Sequence, residues 1–288
     1  MSVVLFAQRR ADVPAPQAIR GGSFEASGVV AVPGTNGVLI VDDGRPRHVL
    51  WMELSPSGTQ VGEVVVVPIH ADVLDMEDIT TDGQFFYVVG SQSQGGGSQA
   101  DGLVRFRFHP TTLETTHVER ATGLRQMLAA TVPELRRSGR RGGDGILNIE
   151  GLVWDPVRSR LLLGLRSPVS GDDALIVPLR FRDSSKALAI DNLVVDGAAI
   201  RLPLGGDGIR GLGYDATRGV VLVIAGASTY ARATDFRLLE WDGATLGSLR
   251  DIATFPSHQK PEGVTRMILG GRPRTVIVFD IGGYRVID

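Results

Sequence analysis

The stretch Asn148-Ile149-Glu150-Gly151-Leu152-Val153-Trp154-Asp155-Pro156-Val157-Arg158-Ser159-Arg160-Leu161-Leu162-Leu163-Gly164-Leu165-Arg166-Ser167-Pro168 sets the pattern for this chain. It reads as a strand opening on Glu150-Gly151, a turn at Asp155-Pro156 and a second apolar strand ending at Arg166. Four more segments begin alike: Ala26-Ser27-Gly28-Val29, Met76-Glu77-Asp78-Ile79, Ile209-Arg210-Gly211-Leu212 and Pro261-Glu262-Gly263-Val264. The aligned positions 28, 78, 151, 211 and 263 lie 50, 73, 60 and 52 residues apart. That spacing is too long for a helical repeat and suits a four-stranded propeller blade with loops.

Each copy continues with a turn, at Pro33-Gly34, Asp82-Gly83, Asp155-Pro156, Asp215-Ala216 or Gly270-Gly271, and then a β-branched or aliphatic run. Third and fourth strands fill the gaps, at residues 48–54 and 61–69, 103–108 and 117–122, 174–181 and 198–204, and 236–241 and 249–255. The fifth copy stops early, with one further strand at 284–287, and residues 3–6 at the other end are the candidate for its missing fourth. Pairing the N-terminal strand into the last blade closes a ring and leaves no open edge. The predicted fold is therefore all-β, a single five-bladed β-propeller domain over 1–288. A six-bladed ring is the alternative if the N-terminal residues and the long second gap supply more strands. Apolar positions 124, 127, 128, 132 and 135 follow helical spacing, so a short helical insertion is expected near 124–137, split at Pro133. The Gly/Ser-rich residues 93–102, and residues 138–145, read as loops.

Composition narrows the function. Thirty basic against thirty-two acidic residues leave a formal charge of −2, which argues against nucleic acid or an anionic membrane as partner. There is no cysteine, so disulfides and thiolate metal sites are excluded. Met1 to Arg10 holds only a four-residue apolar run, too short for a signal peptide, and no segment approaches a membrane span. A cytoplasmic chain is the expectation, with a trimmed secretory leader as the alternative. Gly206-Asp207-Gly208-Ile209-Arg210-Gly211 fits a dinucleotide fingerprint by letters but enters a strand, which removes it. The five histidines share no ligand spacing.

In a propeller the first strand of each blade lines the axis, so the residues before the aligned positions should converge there: Ser27, Glu77, Glu150, Arg210 and Glu262. The second strands end at the same rim and bring Asp42, Asp43, Gln92, Arg166, Ser228 and Asp280 close. Carboxylates ~6 Å apart would repel by about 3 kcal/mol per pair at an effective dielectric near 20, and Arg210 offsets a comparable amount. Ser27, Glu77, Glu150 and Glu262 form an oxygen-only donor set suited to calcium; the alternative is a metal-free ion network. For catalysis the candidates are Glu77, Glu150 and Glu262 as base or metal ligands, with Arg166 and Arg210 stabilising negative charge.

The segments Asn148-Ile149-Glu150-Gly151-Leu152, Leu163 to Pro168, Asp173 to Leu179 and Gly208-Ile209-Arg210-Gly211-Leu212 resemble a family of uncharacterised bacterial proteins carrying the domain of unknown function DUF3616. The resemblance runs over nearly the whole chain and implies a propeller, with no activity attached. More distantly, the layout is similar to the soluble calcium-activated nucleotidases (apyrases), five-bladed propellers whose blades offer Ser, Glu, Glu, Ser, Glu to an axial calcium. Ser27, Glu77, Glu150 and Glu262 match four of those positions, and Arg210 departs at the other. The Glu-Gly openings are also similar to the phytase-like esterase propellers. Two functions follow as expectations: a hydrolase of phosphate or other esters acting on a small molecule in the central funnel, or a non-catalytic ligand-binding or scaffold propeller.

Overall fold

A computed structural model describes residues 15–93, 102–136, 147–229 and 234–288. Its strands form five antiparallel sheets. Blade 1 runs Ala26–Ala31, Gly37–Asp42, His48–Leu54 and Gln60–Pro68; blade 2 runs Met76–Thr81, Phe86–Gly90, Gly102–His109 and Glu114–Thr122. Blade 3 comprises Asn148–Asp155, Arg160–Ser167 and Asp173–Phe181. Its outer edge is two short strands, Leu193–Val195 and Ile200–Pro203, where one had been expected. Val195 and Ile200 pair with Leu179 and Ile176, so the intervening residues leave and rejoin the same edge. Blade 4 runs Asp207–Asp215, Val220–Ala227, Phe236–Trp241 and Arg250–Phe255.

Blade 5 takes Pro261–Leu269, Arg272–Phe279 and Gly283–Ile287 from the C-terminal end, and Gln17–Ala18 from the other. Gln17 pairs with Tyr284 and Ala18 with Gly283. The closing strand is thus 17–18; residues 3–6, expected in that role, lie outside the described residues. Tyr284 fastens the junction, because its hydroxyl accepts from the buried Gln60 N–H of blade 1 at 2.7 Å and donates to Gln17 Oε1 at 3.1 Å.

Five apolar clusters lie between the sheets, one for each neighbouring pair of blades. Blades 1 and 2, 2 and 3, 3 and 4, 4 and 5, and 5 and 1 each share one. Five sheets in an open row would have only four such interfaces, so the fifth cluster, with Ile40 and Leu50 of blade 1 against Val276 and Val278 of blade 5, closes the ring. Aromatic side chains bridge these joints: Trp154 of blade 3 stacks on Tyr87 of blade 2 at 6.2 Å, and Trp51 of blade 1 lies 5.5 Å from Phe108 of blade 2. Leu124–Thr131 is helical, and a 3-10 turn at Pro133–Leu135 follows; Leu128 and Leu135 pack into the cluster between blades 2 and 3. Residues 138–145 and most of 93–102 lie outside the described residues.

The innermost strands approach so closely that little but glycine fits at the aligned positions. A Cβ on Gly211 would fall 1.9 Å from the Glu262 carbonyl oxygen, and one on Gly263 would fall 2.7 Å from Gly28 Cα. Blade 2 is the exception, with Asp78 there. Its carboxyl crosses the axis, accepting from Ile79 N–H at 2.8 Å through Oδ1 and, through Oδ2, from Leu152 N–H at 2.7 Å and Leu212 N–H at 3.2 Å. One side chain thereby ties three inner strands and separates the two mouths of the channel. The larger mouth, about 700 Å³, is lined by the second halves of four inner strands, with Thr80, Thr265 and Tyr214 among mainly apolar neighbours. The charged residues gather at the other.

Candidate functional site

A backbone irregularity builds the ring. In all five blades the pairing of first and second strands skips one residue: register shifts fall between Ala26 and Gly28, Met76 and Asp78, Ile149 and Gly151, Ile209 and Gly211, and Pro261 and Gly263. The skipped residues are Ser27, Glu77, Glu150, Arg210 and Glu262. A bulge leaves one residue unpaired and re-aims its side chain, which is how a strand otherwise alternating between two blade faces can direct a polar group elsewhere. Blade 3 skips a second residue, Arg166, on the opposite strand.

Four of the five ring residues reach one cavity of about 390 Å³: Glu77, Glu150, Arg210 and Glu262. Glu150 is the hub. Its Oε1 accepts from Arg166 Nη1 at 2.9 Å and from Asn148 Nδ2 at 2.8 Å, and its Oε2 lies 2.9 Å from Arg210 Nη1. Arg210 Nη2 donates to Glu262 Oε1, and the guanidinium lies 5.8 Å from the centre of the Phe236 ring. Glu77 makes no hydrogen bond or ion pair with any described residue. Burial, then repulsion from Glu150, Asp75 and Glu262, raises its carboxyl well above the usual range against the pull of Arg210. Glu262 is pushed up to about 7, chiefly by burial, with Glu150 and Asp280 adding to the shift and Arg210 opposing it.

The rim divides. Arg166, Asp43 and Asp280 line the cavity as expected. Asp43 is pushed up to about 7 by burial, by a hydrogen bond to the Glu25 carboxyl and by repulsion from Glu25, Asp42 and Asp75. Asp42, Gln92 and Ser228 do not line it. Asp42 accepts from the Glu25 and Gly44 N–H groups, Gln92 donates to the Gly90 carbonyl, and Ser228 donates to the Gly206 carbonyl. Ser27 is likewise turned aside, its Oγ donating to Glu25 O at 3.3 Å.

Sequence reasoning missed a second tier. Two residues before each ring member stand Glu25, Asp75, Asn148, Gly208 and Lys260. Three of these, Asp75, Asn148 and Lys260, line the cavity, and Glu25 reaches it through Asp43. Lys260, held at φ 46, donates from Nζ to Asp280 Oδ2, and Asp75 accepts from the hydroxyls of Ser91 and Ser93. The available signal was positional: each stands two residues before a ring member, and Asp75 and Lys260 precede their strands at positive φ. Gly208 is glycine because a Cβ there would meet the Arg166 carbonyl oxygen at 2.2 Å.

The donor set expected for calcium does not fit one here. Glu150 and Glu262 are engaged by arginine, Ser27 bonds to backbone, and no group of three or more His, Asp or Glu among the described residues is arranged to hold a metal. A cation seated among the three glutamates would meet the Arg210 guanidinium first.

With blades 3 to 5 so arranged, one family model matches part of the chain, a shorter stretch than the expected resemblance over nearly all of it. Residues 138–280 match DUF3616, described as a protein of unknown function. The DUF3616 match takes in blades 3 and 4 and the first two strands of blade 5, and with them Glu150, Arg166, Arg210 and Glu262. No protein with a curated description matches the chain. Among solved structures it is similar to the PQQ domain of pyranose dehydrogenase from Coprinopsis cinerea, at 10% identity over 93% of each chain and a TM-score of 0.51. It is also similar to the soluble aldose sugar dehydrogenase from Escherichia coli, at 11% identity over 94% of this chain and 97% of that one, with a TM-score of 0.50. At such identities the likeness is one of fold. No helix among the described residues is long and apolar enough to cross a membrane.

Proposed function

We propose that this chain is a hydrolase of small-molecule esters, with chemistry at the charged mouth of the channel. One observation carries the proposal: two carboxyls, Glu77 and Glu262, line one cavity with Arg166, Arg210 and Lys260, and among the described residues only Glu262 of the two is bonded directly to a cation there. Burial raises both carboxyls, Glu77 well above the usual range and Glu262, tied to Arg210, to about 7. Paired groups of this kind divide the roles of acid and base. Glu262 takes the proton of the attacking water, and Glu77 supplies one to the leaving oxygen. Arg166, Arg210 and Lys260 provide the positive field for charge developing on the attacked centre. Glu150, with each oxygen held by a different arginine, positions Arg166 and Arg210. Water attack on the ester adds one H–OH across the cleaved C–O or P–O bond, so no co-reactant is needed.

A non-catalytic ligand-binding propeller is the second reading, favoured by the closure of Arg166, Glu150, Arg210 and Glu262 on one another. Turnover separates the two. Carboxylic and phosphate esters should be assayed with and without calcium, on wild type and on Glu262→Gln and Glu77→Gln. The hydrolase reading expects each substitution to lower kcat by about 100-fold or more, with the wild-type profile rising through a pH near 7 as Glu262 loses its proton. Activity indifferent to both substitutions refutes these roles, and folded wild type that turns over no ester leaves the binding module.

A further inference from the structure

The charges of the funnel are not evenly satisfied, and the imbalance bears on the ligand. All three basic groups are engaged by carboxylates. Arg166 and Arg210 meet Glu150 at 2.9 Å each, Arg210 also meets Glu262, and Lys260 meets Asp280. All of these residues belong to blades 3 to 5. Across the cavity, on blades 1 and 2, three carboxyls make no ion pair with any described residue. Glu77 makes no hydrogen bond or ion pair with a described residue, and Arg210 attracts it only from a distance. Asp43 shares a hydrogen bond only with another carboxyl, Glu25, while its Oδ1 is buried with no donor. Asp75 has two serine hydroxyls and no basic group.

These are two separate observations. Each of these cations is already paired with a carboxylate, although Arg210 Nε is buried without an acceptor, so a phosphate would have to compete with Glu150, Glu262 or Asp280 to reach them. Carboxyls that line the cavity without an ion-pair partner among the described residues are what an incoming donor would satisfy. A positive group placed there gains attraction from each ionised carboxyl among Asp43, Asp75 and Glu77, donates to the carbonyl oxygen of any that keeps its proton, and relieves their mutual repulsion.

We infer that the funnel binds a ligand bearing a positive charge, an organic ammonium whose cationic end sits against Asp43, Asp75 and Glu77, with its uncharged remainder toward Arg166 and Lys260. This rests on the funnel being the ligand site of the proposed function, and it narrows the substrate class from esters in general to amine-bearing esters.

The test is binding, so that it stands apart from turnover. n-Butylammonium, butan-1-ol and butyl phosphate, matched in chain length, are titrated against the full chain in metal-free buffer by ligand-observed NMR, with calcium chloride in a parallel titration. Butylammonium is expected to bind at least about tenfold more tightly than the alcohol, and butyl phosphate no better than the alcohol. Glu77→Gln and Asp75→Asn should each weaken butylammonium about fivefold and leave the alcohol unchanged. Equal binding of ammonium and alcohol, tighter binding of the phosphate, no measurable ammonium binding, or calcium binding without ammonium preference overturns the inference. Ammonium preference with no ester turnover sinks the hydrolase alone, and turnover without the preference sinks this inference alone.

Discussion

Replacing Asp78 tests whether one buried carboxyl holds the centre of the ring. Asp78→Ala removes the acceptor for three N–H groups, those of Ile79, Leu152 and Leu212, in a region where the carboxyl itself is completely buried. An orphaned buried donor costs about 1–3 kcal/mol, so three cost roughly 3–9 kcal/mol before any offset. The offset is the burial of the carboxyl, which drives its proton affinity well above normal despite the three N–H groups that pull it down. Relief of that penalty brings the expected net loss to about 3–5 kcal/mol.

Asp78→Asn separates the acceptors from the charge. An amide oxygen in the place of Oδ2 keeps the bonds from Leu152 and Leu212 and turns the NH₂ toward Ile79 N–H, a loss of about 1–3 kcal/mol. Thermal unfolding by calorimetry reads both. For a chain of this size each kcal/mol moves Tm by roughly 2–4 °C, so the alanine variant should melt about 6–20 °C lower and the asparagine variant should fall between it and wild type. Ligand binding at the charged mouth should persist in Asp78→Asn, since Asp78 does not line that cavity. An alanine variant within about 1 kcal/mol of wild type would refute the keystone role. An asparagine variant as unstable as the alanine one would assign the stabilisation to charge rather than to hydrogen bonds.

Three further outcomes are expected. Wild-type stability relative to Glu262→Gln should fall between about pH 4.5 and 7 and level off above, measured by urea denaturation across that window. A carboxyl raised to about 7 contributes stability that is complete below its unfolded value and lost as pH rises through its folded one. Arg210→Met should cost about 3–5 kcal/mol by the same assay, because Glu150 and Glu262 lose the cation between them, and the loss should shrink toward low pH as Glu262 is protonated. Tyr284→Phe should lower stability by about 1–2 kcal/mol and raise hydrogen exchange at Gln60, whose buried N–H loses its acceptor across the ring closure.

The ring was legible in the sequence because its signal was covalently local. A polar residue before a glycine, a turn and an apolar run recur at blade spacing, and five bulges put the recurring residue at the axis. What the side chains do once there was not local. Ser27 turns to its own blade's backbone, and Asp42, Gln92 and Ser228 bond to nearby backbone, so identical placement along the repeat yields different destinations. Lys260 and Asp75 each stand two residues before a ring member, but they precede their strands at positive φ, so strand periodicity does not mark where they point. The closing strand at Gln17–Ala18 is two residues long and has no apolar run to mark it; its place is set by Tyr284, 267 residues away.

Asp78 shows why departures from a repeat carry more than its agreements. Four blades have glycine where inner strands crowd, and symmetry alone would leave an axis walled by backbone. A single aspartate in blade 2 fills it, and its carboxyl reaches the inner strands of blades 3 and 4. The same blade supplies Glu77 and Asp75, two of the carboxyls without an ion pair among the described residues. Arg210, the departure in blade 4, draws Glu150 and Glu262 toward blades 3 to 5. These two irregular blades break the fivefold pattern in opposite senses, one adding an acid and the other a base. The funnel is polarised across its width by Arg210 on one side and by Asp43, Asp75 and Glu77 on the other, paired charges facing carboxyls that have no ion pair among the described residues. A perfectly repeated Glu-Gly ring would have been a symmetric cage for a metal; the departures make it a site with direction.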